Sequence, residues 1–211
     1  MSVIKTIPSR RKKSVGGGVG MKGIVSAMAL SPDGVLAAGT FNRWVGLWDV
    51  RGDSVGVWQL GRDQGDKDGV GNGAGVTSVG WLYGDGRYLW VAERGSDGVG
   101  IWDVRGSGKR LVWLRGRWAE TMQRLSVESV SDEVWAGGTD GVVRIWKGVG
   151  MRECVIEPEE ELRLHGGEAS ATSVREESAD ISQMQLLLLR CTQVDRCWLH
   201  VLVNVMEGRK V

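Results

Sequence analysis

The feature that most constrains the fold is a short segment that occurs three times. The copies read VGLWDV, VGIWDV and VVRIWK, and their tryptophans are Trp48, Trp102 and Trp146. The first two tryptophans are 54 residues apart and the last two are 44 residues apart. A unit of about 40 to 45 residues that ends a strand with Trp-Asp is typical of a four-stranded propeller blade. The longer spacing fits once the glycine-rich stretch 61–75 is counted as a long loop between blades.

Each unit divides into four short runs rich in β-branched and aromatic residues, separated by Gly, Asp, Asn or Pro. The predicted strands are 23–30, 35–40, 44–50 and 55–60 in the first unit, 75–82, 88–94, 99–104 and 110–115 in the second, and 122–128, 133–138, 142–147 and 152–157 in the third. The sequence therefore predicts an all-β fold, a partial β-propeller of about three four-stranded blades over residues 21–157.

The two flanks differ from the repeats. Residues 1–20 are a basic, glycine-rich leader that we predict to be disordered. Residues 158–211 form a divergent tail, in which a His-Gly-Gly sequence before residues 169–174 is similar to the opening of a fourth blade. Within this tail we predict a short helix over residues 178–190, with Ser178 as its N-cap, and a strand over residues 197–205.

The residues that recur in the units have structural explanations. Asp97 and Asp140, each followed by Gly, are expected in tight turns between the second and third strands of a blade. Trp48, Trp102 and Trp146 are expected to fill the space between neighbouring blades, where each indole N–H needs an acceptor. We interpret these five residues as structural. The predicted acceptors are hydroxyls in the preceding turns: Thr40, Ser96 and Thr139.

Composition excludes several classes of partner. The net charge of +1, from 27 basic and 26 acidic side chains, provides no global field toward nucleic acid or membranes. The three cysteines form no C-x-x-C pair, which favours a reducing compartment. No apolar signal segment follows Met1, and the longest apolar run, Leu186–Leu189, is far too short to span a bilayer. We expect no membrane partner and a nuclear location, with the cytoplasm as the alternative.

No pattern in the chain indicates catalysis or a cofactor. Neither of the two histidines lies near a Ser or Cys in a recognisable nucleophile motif. The G-x-G-x-x-G match at residues 18–23 lacks the strand before it and the helix after it that dinucleotide binding requires. Cys191, Cys197 and His200 have the spacing of no common zinc module. We predict that the protein is not an enzyme and has no cofactor, no metal and no small-molecule substrate.

Three stretches of the chain are similar to one particular WD-repeat family. They are residues 23–49, residues 102–128 with a Thr-x-Gln-Arg motif at Thr121–Arg124, and residues 134–146. Together they resemble the telomerase Cajal body proteins and their fungal splicing-associated relatives. The resemblance implies a non-enzymatic scaffold associated with a small nuclear ribonucleoprotein. It also implies further blades on the N-terminal side of the similar region, as members of that family carry.

A group of basic residues lies between the second and third units, with Trp113 and Trp118 among them. Guanidinium groups that meet phosphates and indoles that stack on bases suit single-stranded RNA. Within this group, Arg115, Arg117 and Arg124 are the candidate contacts to RNA or to a particle protein. In the structural alternative, Arg124 pairs with a carboxylate such as Glu120 or Glu128. A second candidate for RNA contact or nuclear import is the basic run 10–13.

Two other functions remain open from the sequence. The fold alone is compatible with a general protein–protein adaptor that has no RNA role. Three blades also leave open sheet edges, which the chain would have if it were a truncated propeller fragment without function. Protein partners are expected in the scaffold and adaptor readings, and a small nuclear RNA in the ribonucleoprotein reading.

Overall fold

The structure is a computed structural model, and it describes residues 20–61, 73–83, 86–106, 109–151, 154–163, 171–175, 184–190 and 198–204. These ranges contain strands and no helix. The strands are β1 Val25–Leu30, β2 Leu36–Thr40, β3 Trp44–Trp48, β4 Ser54–Gln59, β5 Val76–Leu82, β6 Tyr88–Glu93, β7 Val99–Asp103, β8 Arg110–Leu114, β9 Val127–Val130, β10 Glu133–Gly137, β11 Val142–Trp146, β12 Cys154–Ile156, β13 Glu160–Arg163, β14 Ala171–Arg175, β15 Met184–Arg190 and β16 Trp198–Asn204.

The strands form four sheets, and the predicted three-blade architecture is confirmed. The first sheet is an antiparallel meander in the order β1-β2-β3-β4. The second has the order β5-β6-β7-β8 with β12 added beside β8, and the third has the order β9-β10-β11-β13. The fourth sheet has three strands in the order β14-β15-β16, and β14 lies against β9 and β10 of the third sheet.

The predicted fourth strand of the third blade is wrong. The segment placed there, β12, instead pairs in parallel with β8 of the second sheet. Ile156 is buried among side chains of that sheet, which explains why this apolar segment covers the β8 edge. The outer strand of the third sheet is β13, whose polar sequence suits an exposed edge. There Glu160 and Glu161 pair with Lys147 and Arg144 of β11.

The helix predicted over residues 178–190 is also wrong, because residues 184–190 form β15. This strand pairs with β14 on one side and with β16 on the other, so neighbouring strands satisfy its backbone. The run Leu186–Leu189 carries no helical period, and non-local pairing decides such a segment. The predicted cap Ser178 lies outside the described residues, as does the leader apart from Gly20. The strand predicted over 197–205 is confirmed by β16.

The repeated tryptophans lie in the apolar layers between sheets. Trp102 is 6% exposed and packs against Val45 and Leu47 of the first sheet. Trp146 is fully buried among residues of the second and third sheets, including Trp90. Trp48 packs on the face of the first sheet that lies away from the second sheet. The Trp102 and Trp146 layers therefore join neighbouring sheets, which hold the loops above them in fixed positions.

The residue two places before each tryptophan decides how the indole lies. A Cβ added at Gly46 or Gly100 would come within 2.4 Å of the ring of Trp48 or Trp102. In the third unit this position is Arg144, and there the ring of Trp146 needs no glycine beneath it. These contacts explain why two copies of the repeat read Val-Gly-x-Trp and the third does not.

The predicted indole acceptors do not act as expected. In the structure the three hydroxyls donate to backbone carbonyl oxygens of Lys22, Gly98 and Trp118. The indole Nε1 of Trp146 donates to the carbonyl oxygen of Arg115 at 3.2 Å, so the prediction of a Thr139 acceptor is wrong. A loop carbonyl takes this role because the ring points out of its own sheet toward the loop that enters it.

Candidate partner-binding rim

The turns between second and third strands and the loops between sheets meet at one end of the sheets. In the first sheet, the Phe41 N–H donates to the Ile24 carbonyl at 3.1 Å. In the second, the Gly95 N–H donates to the Thr121 carbonyl at 3.0 Å, which joins a turn to the loop before the third sheet. We call this surface the turn rim. It consists of residues 22–24, 41–43, 94–98, 115–126 and 138–141.

The loop 115–126 is tied to two sheets at once. The Arg117 N–H donates to the Asp97 carbonyl at 2.6 Å, in the turn of the second sheet. The backbone N–H and the Oγ1 of Thr139, in the turn of the third sheet, both donate to the Trp118 carbonyl at 2.8 Å. Because both turns belong to packed sheets, the loop is held in one conformation rather than left to move.

Arg117 does not reach the surface. Its side chain belongs to a residue that is 1% exposed, and its Nη2 donates to the Leu125 carbonyl at 2.8 Å. Burial lowers the pKa of this guanidinium to about 10. The contact joins the two ends of the loop from inside. The prediction that Arg117 touches RNA or a partner is therefore wrong, because the folded loop covers it.

The other two predicted arginines do lie on the turn rim. Arg115 has a side chain that is 42% exposed, and its Nη1 is 4.0 Å from the Glu157 carboxylate. Arg124 is exposed, and no ion pair among the described residues joins it to Glu120 or Glu128. The structure thus brings two of the three candidates to one surface.

The turn of the third sheet is held by a buried ion pair. Arg144, with a side chain 5% exposed, meets Asp140 through two contacts, at 2.6 Å and 3.1 Å. Its Nε also donates to Glu161 at 3.0 Å. Burial alone would raise the pKa of Asp140, but the bonds to Arg144 outweigh it and hold that pKa below its usual value. Burial would lower the pKa of Arg144, but the two carboxylates raise it, so both groups stay charged.

Four large apolar side chains are exposed on the turn rim. They are Ile24, Phe41, Trp118 and Met122, with exposed fractions of 71%, 40%, 64% and 64%. Exposed apolar groups that lie together on a rigid surface are typical of protein interfaces. The guanidinium of Arg94 lies 4.7 Å from the centroid of the Phe41 ring, which adds a cation to the same surface.

Trp118 has an unusual backbone conformation for its type. Its φ is +53°, in the left-handed region that a bulky residue rarely adopts, and the two bonds from Thr139 hold it there. The guanidinium of Arg144 is 5.9 Å from its ring centroid. Sequence reasoning considered Trp118 only as a base-stacking residue and missed Met122. The available signal was a large apolar residue outside any strand alternation.

A cleft of about 400 Å³ lies between the inner strands β1, β5 and β9. Its wall contains a short hydrogen-bond chain: Trp90 Nε1 donates to Ser129 Oγ at 3.1 Å, and that hydroxyl donates to the Trp81 carbonyl at 2.9 Å. Arg124 borders this cleft as well as the turn rim. A partner on the rim would therefore find this arginine at the entrance to the cleft.

Among the described residues, no group of His, Cys, Asp and Glu is placed to hold a metal ion. Cys191 and Cys197, weighed above as zinc ligands, lie outside the described ranges. In the same described part of the chain, no helix is long and apolar enough to cross a bilayer.

No protein-family profile matches the chain. One curated relative is the guanine nucleotide-binding protein negative regulator 1 of Schizosaccharomyces pombe, which is 33% identical over 130 residues. The match covers 60% of this chain and 30% of the relative, so the chain spans about a third of the length of that protein. The resemblance to the telomerase Cajal body proteins stays a prediction.

Solved structures show the fold. Sqt1 of Saccharomyces cerevisiae has a TM-score of 0.56 at 15% identity, covering 78% of this chain and 42% of its own. The computationally designed proteins Ika8 and Ika4 have TM-scores of 0.55 and 0.59, at 16% and 15% identity. Ika8 covers 80% of this chain and 43% of its own, and Ika4 covers 89% and 99%. The chain thus has the fold of a WD-repeat β-propeller, in a partial form of three blades followed by a three-stranded sheet.

Proposed function

We propose that the chain is a non-enzymatic WD-repeat scaffold that binds a protein partner through the turn rim. One observation carries this proposal: four large apolar side chains are exposed together on loops whose backbone is bonded to the packed sheets. A surface that is already ordered loses little conformational entropy when a partner binds. Tryptophan is enriched among the residues that dominate binding energy, which makes Trp118 the expected anchor.

The partner class can be proposed from the relative. That protein is named as a negative regulator of a guanine nucleotide-binding protein, and the shared 130 residues support a similar partner for this chain. The rim is mixed in charge, with Arg94, Arg115 and Arg124 beside Glu120, so it suits a protein surface better than a uniformly charged ligand. A guanine nucleotide-binding protein is the first partner to test.

The double variant Trp118→Ala, Met122→Ala is expected to bind a purified guanine nucleotide-binding protein at least about tenfold more weakly than the parent, measured by calorimetry. Met151→Ala is the matched control. Met151 is 80% exposed and follows Val149, whose carbonyl accepts from Tyr83 at the opposite end of the sheets. Equal binding by the double variant and the parent would show that the rim is not the interface. Binding by neither would exclude this partner class.

A second candidate is a scaffold in a nuclear ribonucleoprotein, related to telomerase or splicing, that contacts a small nuclear RNA. The observation that favours it is the exposure of Arg115 and Arg124 on the rim that carries Trp118. Guanidinium groups beside an exposed indole provide phosphate contacts and a stacking surface. The family-like Thr121–Arg124 stretch lies on this rim, and nuclear localisation belongs to this candidate.

The test is RNA binding by the double variant Arg115→Ala, Arg124→Ala. Arg117 is kept, because its removal would disturb the loop from inside. Affinity for a small nuclear RNA is expected to fall at about 50 mM salt, and the slope of log affinity against log salt to flatten by about 0.7 per lost phosphate contact. An unchanged slope at about 50 and about 200 mM salt would leave the protein-binding scaffold alone.

A further inference from the structure

Corresponding faces of the first and second sheets differ in how they are covered. Val79 in β5 pairs with Val91, and Met28 in β1 pairs with Ala38 at the same place in the ladder. Val79 is 7% exposed because the first sheet packs on its face, together with Trp102. Met28 is 66% exposed. The first sheet therefore presents, uncovered, the face that the second sheet buries.

This uncovered face is apolar beyond Met28. Leu30, two residues along the same strand, is 67% exposed, and its cross-strand partner Leu36 pairs in turn with Trp48. Trp48 and Ala38 form a small buried cluster on this side. A propeller blade is stable when both of its faces pack against neighbours, so this face has the composition of an interface rather than of a solvated surface.

The fourth sheet stands at the other end of the chain. Its strand β14 lies against the third sheet, and no described sheet follows it. The central strand β15 has Leu186–Leu189 in succession, a pattern typical of a strand whose sheet is covered on both faces. The chain thus has one apolar sheet face at its start and a sheet that calls for cover at its end.

We propose that a second copy of this chain covers the Met28 face, with the fourth sheet of each copy packed on the first sheet of the other. Two chains of four sheets close a ring of eight, within the range of about four to eight blades known for propellers. Closure covers both terminal sheets at once, and two head-to-tail contacts related by a two-fold axis leave no free end. The same fold occurs in a designed protein that this chain covers almost completely and in one about twice as long.

Sedimentation equilibrium of the full chain tests the proposal. The parent is expected at twice the 23.0 kDa of one chain. The double variant Met28→Asp, Leu30→Asp is expected to sediment as a monomer, with a dissociation constant raised at least about tenfold, because charges then face an apolar surface. Met151→Asp, at a residue 80% exposed and away from this face, is the matched control and is expected to stay dimeric. Both substituted positions are two-thirds exposed, so the strand signal in circular dichroism is expected to be unchanged.

Three results would overturn the proposal: a monomeric parent, a dimeric Met28→Asp, Leu30→Asp variant, or open-ended oligomers of the parent. A fourth measurement separates ring closure from direct pairing of two first sheets. In a chain whose three native cysteines are replaced by serine, Met28→Cys is not expected to form a disulfide-linked dimer, because the ring places the two positions at different interfaces. A linked dimer would show face-to-face pairing instead.

Discussion

Replacing Trp102 with alanine is expected to lower the free energy of unfolding by about 3 to 5 kcal/mol. The indole is 6% exposed and fills the layer between the first two sheets, against Val45 and Leu47. Its removal leaves a cavity that rigid strands on both sides cannot close. Urea denaturation followed by circular dichroism measures the change.

Trp118→Ala is the control for this prediction. Trp118 is 64% exposed, so its loss is expected to change the free energy of unfolding by no more than about 0.5 kcal/mol. A Trp102→Ala variant that unfolds at the urea concentration of the parent would show that the sheets are not packed through this residue.

Removing the Asp140 carboxylate is expected to cost about 3 kcal/mol of stability. Asp140→Ala leaves Arg144, with a side chain 5% exposed, bonded to Glu161 alone. A buried cation that loses its main partner carries the full cost of its desolvation. Asp103→Ala is the matched control, because Asp103 also meets an arginine at 2.6 Å but on the surface, where Arg105 is 59% exposed. Its loss is expected to cost no more than about 1 kcal/mol.

The same pair predicts how stability depends on pH. The pKa of Asp140 is lower in the folded chain than its usual value, because bonds to Arg144 outweigh burial. The stabilisation is therefore complete above the unfolded pKa of about 4 and is lost as the pH falls through the folded value. The difference in stability between the parent and Asp140→Ala is expected to be constant near neutral pH and to shrink below about pH 4. A difference that stays the same down to about pH 2 would exclude the ion pair as its cause.

Much of the fold could be predicted from local patterns. The Trp-Asp spacing and the turn residues between strands identify the β meanders, because both depend on neighbours close in sequence. The candidate rim was only partly predictable. Arg115 and Arg124 were identified as rim residues, since loops between predicted strands are exposed, but their neighbour Arg117 is covered by its own loop. No sequence pattern separates these three arginines, because the path of the loop decides which of them faces solvent.

By itself, the sequence determined the strand identities in the first eleven strands, the turns that join them and the repeated position of the buried tryptophans. Tertiary structure alone decided that β12 joins the second sheet, that β15 is a strand and that Trp118 stands exposed in a left-handed conformation. The physical reason is the range of the interactions. A turn or an alternating strand is stabilised by residues a few positions apart, whereas the choice of sheet edge and the exposure of a loop depend on which distant surfaces are left to be covered.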